Sequence, residues 1–157
     1  MYDIFTKHSK GVNKFVSGHT YQGHAIGCAA ALAVQRILER DSLIENVSQM
    51  GVLLAKTLGQ NLPASWKEEG GSLRGMGLFR TVDFGNLGKE TSGGALSQRV
   101  ADECFDRGAT VYVCSSAVDA ILLAPPFIIS NEQIVELADI VVASLVAVLG
   151  ATQKARL

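Results

Sequence analysis

Cysteine and excess charge of either sign are scarce in this 157-residue chain, and each shortage argues against a class of protein. Three cysteines, Cys28, Cys104 and Cys114, are odd in number, widely separated and set among apolar neighbours. They suit reduced, buried thiols in a cytoplasmic protein better than a disulfide framework. The 14 basic and 15 acidic residues leave a formal charge of -1 and no long run of either sign, which argues against a nucleic-acid partner. The strongest apolar stretches, at 25–34 and 140–149, run about ten residues against the roughly 20 needed to cross a bilayer, so no membrane partner is expected. The first residues, Met1-Tyr2-Asp3-Ile4-Phe5, lack the basic start and apolar core of a secretory signal.

What remains is a chain that is 48% hydrophobic and 18% charged, enough apolar material for one well-buried globular unit. A short helix is expected over 2–8, followed by a loop rich in Ser and Gly. Ala25, Gly27, Cys28, Ala29, Ala30 and Ala31 lead into Leu32, Val34, Ile37 and Leu38, which predicts a helix over 23–40, buried along much of its length. Ser42 with Glu45 has the spacing of a capping box, and Leu43, Val47, Met50, Leu54 and Leu58 predict a helix over 43–61.

Pro63, Gly70 and Gly71 end that pattern. Two strands, 72–74 and 78–84, are expected around the turn Gly75-Met76-Gly77. Leu96, Val100, Cys104 and Phe105 mark a helix stopped by Gly108, and strands follow near 110–113 and 120–123. Ser130 and Gln133 form a second capping box, ahead of a last apolar stripe that frays from Gly150. The order of elements predicts an α+β layer of antiparallel strands covered by helices.

The chemistry concentrates in Gly18-His19-Thr20-Tyr21-Gln22-Gly23-His24, a glycine-flanked polar loop just before a helix start. Unpaired N–H groups and the positive end of the helix dipole, with the Thr20 hydroxyl as a further donor, favour an anion such as phosphate. An ordinary capped loop has the same composition. His24 and Cys28 lie four apart, as in some metal sites, but a capping histidine beside a core cysteine is the expected reading and no metal is assigned. No nucleophile can be matched with a base: His8, His19 and His24 all lie near the start, far from Cys104 and Cys114.

Three motifs carry a resemblance. The loop Gly18-His19-Thr20-Tyr21 with Gly23-His24 and Cys28-Ala29-Ala30-Ala31-Leu32-Ala33, then Leu73-Arg74-Gly75-Met76-Gly77-Leu78, then Leu123-Ala124-Pro125-Pro126-Phe127, occur in the order found in class III aminotransferases. Over residues 1–149 the chain resembles the C-terminal portion of such an enzyme. The resemblance implies the end of the large pyridoxal phosphate-binding domain with a linking helix at 1–40. It further implies the small C-terminal domain of a fold-type I transferase at 41–149, and a tail at 150–157.

It implies pyridoxal phosphate as cofactor, an amine or amino acid and an oxo acid as substrates, and a homodimer. In that family the threonine of the first motif reaches the cofactor phosphate of the neighbouring subunit, and Thr20 stands at that position, with His19 and Tyr21 shaping the same loop. Thr20, His19 and Tyr21 are therefore the candidate cofactor-binding residues.

The chain also departs from the family. The glycine-rich segment with the catalytic lysine, which binds the cofactor and moves a proton, has no counterpart here, and Lys7, Lys10 and Lys14 read as solvated surface residues. No catalytic residue is assigned, and the chain is expected to be inactive alone. The alternative is a non-catalytic interaction or dimerisation module derived from an aminotransferase, with an unusually apolar exposed face. The arginine that often holds the substrate carboxylate before the third motif is replaced by Ala120-Ile121-Leu122-Leu123, and the stretch from Tyr112 to Asp119 looks short. Arg74 is expected to brace the small domain rather than bind substrate. Ala25 takes the place of the family's proline in the first helical turn, which keeps a good helix former.

Overall fold

The computed structural model describes residues 20–87, 95–114 and 118–154. The helix expected over 2–8 and the lysines Lys7, Lys10 and Lys14 lie outside the described residues. Composition suggests a single unit, but the chain divides into two, Met1–Ile37 and Leu38–Leu157.

The first described helix, α1 (Ala25–Arg40), has no buried residue. This overturns the expectation of a helix buried along its length: its alanines favour helix locally, but Ile26, Leu32, Val34 and Ile37 are all exposed. Ile26 is 76% exposed.

Helix α2 (Leu43–Asn61) has the predicted bounds. Its stripe Met50, Leu54 and Leu58 is buried, each full burial of a large side chain contributing about 1.5–3 kcal/mol. The capping box predicted at Ser42 does not form. Only Asp41 and Ser42 separate α1 from α2, and Ser42 adopts the left-handed conformation (φ 49°, ψ 38°) with no side-chain cap. Its carbonyl oxygen instead accepts the N–H groups of Glu45 and Asn46, both at 3.1 Å. A short helix, α3 (Ala64–Glu68), which the sequence pattern did not reveal, buries Trp66. The indole N–H of Trp66 donates to the Asp83 carbonyl at 2.8 Å.

Strands β1 (Ser72–Met76), β2 (Phe79–Asp83), β3 (Tyr112–Val113) and β4 (Ala120–Leu123) form one antiparallel sheet in the order β1-β2-β4-β3. The hairpin turn falls at Gly77-Leu78, slightly later than expected. The register aligns Leu73, Val82, Ile121 and Val113 across the sheet. Val82 and Ile121 are fully buried in that row, and Leu73 packs against the core. The adjacent row, Arg74, Thr81, Leu122 and Tyr112, must point to the opposite face because side chains alternate along a strand. Met76 (84% exposed), Phe79 (60%) and Tyr112 (69%) give that face an apolar, uncovered character.

Helix α4 (Leu96–Asp106) packs against β3 and β4 as α2 packs against β1 and β2. Gly108 follows α4 with φ 93°, the left-handed role expected of it. The final helix, α5 (Asn131–Lys154), packs on both α2 and α4 and buries Ile134, Ala138, Val141, Leu145 and Val148. Its capping box is present: the Gln133 N–H donates to Ser130 Oγ at 3.4 Å and the Ser130 N–H to Gln133 Oε1 at 3.0 Å.

Two expectations about α5 change. The helix continues through Gly150 to Lys154 instead of fraying there. Its window Asn131–Ala151, 21 residues at mean hydropathy 2.2, is long and apolar enough to cross a membrane, so the argument from run length does not hold. A third of that window, 33%, is buried, and the helix packs on α2 and α4.

Candidate functional site

Thr20 lies in a turn that ends at Gly23, where φ is 73°, a conformation that glycine adopts without strain. The turn is closed by the His24 N–H donating to the Tyr21 carbonyl at 3.2 Å. His24 then begins α1: its carbonyl accepts the Cys28 N–H at 2.9 Å, and its Nδ1 accepts the Gly27 N–H at 3.3 Å. The imidazole thus acts as a helix cap, and one of the orphan N–H groups of the first turn is already satisfied. The Tyr21 ring stands edge-on to His24, with centroids 6.3 Å apart and planes at 89°.

Thr20 and Tyr21 are both exposed, and the first turn of α1 contains no acidic residue. The N–H groups of Ala25 and Ile26 precede the first intrahelical bond. A hydroxyl, two N–H groups and the positive end of a 16-residue helix suit an anionic group. The start of α1 is matched in charge to a phosphate. His19 lies outside the described residues. The thiols correct one expectation: Cys104 is buried and Cys114 partly so, but Cys28 is exposed because it lies on α1, none of whose residues is buried. Among the described residues no group of three or more His, Cys, Asp and Glu side chains is placed to hold a metal.

In the second unit the polar residues brace the fold. Arg74 pairs with Asp83 at 2.8 Å across β1 and β2, the bracing role expected of it. Asp83 also accepts the Gly85 N–H at 3.0 Å.

Arg80, which the motif reading passed over, holds the hairpin more extensively. Its guanidinium donates to the carbonyls of Gly75 (2.7 Å), Gly77 (2.9 Å) and Gly51 (3.4 Å), tying the β1–β2 turn to α2. The approach is close: a Cβ on Gly51 would overlap the backbone of Gly77. The signal available in the sequence was the glycine pair Gly75 and Gly77 followed by an arginine three residues on. Ala120, Ile121 and Leu123 are buried in β4, and Leu122 is half-buried, so the stretch where the family often places its carboxylate-binding arginine carries apolar packing.

A cleft of about 450 Å³ lies between the turn at 107–110, the Pro125-Pro126 segment and the first turns of α5. Arg107 borders it, but Nε and Nη2 of that guanidinium both donate to Glu103 Oε1, at 2.9 and 2.7 Å.

Comparison with known proteins bears on both units. A family model described as aminotransferase class III matches residues 2–145. An uncharacterised aminotransferase of Schizosaccharomyces pombe is 36% identical over 132 residues, which cover 76% of this chain and 28% of that protein. The uncharacterised aminotransferase YodT of Bacillus subtilis is 32% identical over 148 residues, covering 88% of this chain and 33% of its own length. Among solved structures, a transaminase obtained by directed evolution through ancestral reconstruction superposes with a TM-score of 0.74 at 26% identity, over 96% of this chain and 33% of that one. The chain therefore spans about a third, or less, of the length of these relatives.

Proposed function

Given that the chain belongs to the class III aminotransferases, we propose that it is the C-terminal portion of an enzyme moving an amino group between an amine or amino acid and an oxo acid. In this reading the chain lacks the catalytic lysine and does not transaminate alone. The cofactor is pyridoxal phosphate, whose ring, when bound, serves as the electron sink for the reaction. This chain's own contribution is a phosphate contact made by Thr20, with Tyr21 and His19 shaping the loop, across a homodimer interface in a cytoplasmic enzyme.

The observation that carries the reading is the position of Thr20: an exposed residue in a short turn leading into the start of α1, where the N–H groups of Ala25 and Ile26 precede the first intrahelical bond. A hydroxyl there donates to a phosphate oxygen, and hydrogen bonds to charged groups contribute about 1.5–3 kcal/mol. The test grafts this chain downstream of the lysine-bearing portion of a class III relative. Thr20→Ala should raise the cofactor dissociation constant of that chimaera about tenfold or more while Thr20→Ser keeps most of the affinity. Equal affinity for all three forms would overturn the assignment of Thr20.

A second reading is a non-catalytic interaction or dimerisation module. It is favoured by the uncovered apolar residues of α1 and of the sheet face bearing Met76, Phe79 and Tyr112. The two readings separate in the same chimaera, because a chain evolved only to pair would fail to restore transamination.

A further inference from the structure

We draw no further inference here: the strongest candidate, the cleft beside the first half of α5 with Glu132, Glu136 and Asp139 along its rim, carries nothing because these carboxylates form an exposed helix face and no second feature of the cleft points to a ligand.

Discussion

The carboxylate of Asp119 accepts the backbone N–H of Ser97 at 2.7 Å, and its second oxygen accepts that of Leu96 at 3.1 Å. A residue just before β4 thereby caps α4, a helix that begins 23 residues earlier in the chain. Both the hydrogen bonds and the negative charge favour the helix N-terminus. Asp119→Ala should lower the stability of the second unit by about 1–2 kcal/mol in urea unfolding, and Asp119→Asn by less. Equal stability of the alanine variant would show that α4 does not depend on this cap.

The close passage of α2 over the hairpin sets a sharper contrast between two glycines. Gly51→Ala forces a methyl group into the backbone of Gly77 and should cost about 1–3 kcal/mol or more. Gly150→Ala, in a helix with nothing near the new methyl group, should stabilise by about 0.5–1 kcal/mol. Thermal melts of the two variants should shift in opposite directions.

How much of this was legible in the sequence follows from how local each interaction is. The bounds of α2 and the Ser130–Gln133 box were readable because an apolar stripe and a cap use residues within a turn or two of one another. Ser42 has the same spacing to Glu45, yet in the two-residue connection between helices its backbone is left-handed and its side chain makes no capping bond. Asp119 and Trp66 act through partners brought close by the sheet and helix packing, and so does Arg80 where it reaches Gly51, whereas its bonds to Gly75 and Gly77 follow a local pattern of two glycines and an arginine.

The exposure of α1 was misread because its composition of alanine and aliphatic residues reports what the helix is able to cover, not whether a cover is present. At the candidate site, the Thr20 turn and the capping role of His24 were both readable from residue type and position. The engagement of Gly27's N–H by the imidazole needed coordinates.

The three thiols should separate by reactivity. Cys28 is exposed and should react first with a disulfide reagent in the folded protein, whereas Cys104, fully buried, should react only on unfolding. Burial pushes the Cys104 thiol above its ordinary value of 9.0, so the folded state holds the proton more tightly than the unfolded state. The resulting stability is complete below pH 9.0 and is lost as pH rises through the folded value. The urea midpoint should therefore fall above pH 9 more steeply in the native sequence than in Cys104→Ala. Parallel pH profiles would contradict that assignment.

The chain belongs to the class III aminotransferases, and the function proposed for it gives it a phosphate contact at Thr20 without the lysine that performs the reaction. The most direct test of that function is to incubate the purified 157-residue chain with pyridoxal phosphate, reduce with borohydride, map the labelled peptides and assay amino-group transfer in parallel. The account predicts no stoichiometric label on any single lysine and no transamination. Specific labelling of Lys7, Lys10 or Lys14 accompanied by transaminase activity would contradict it.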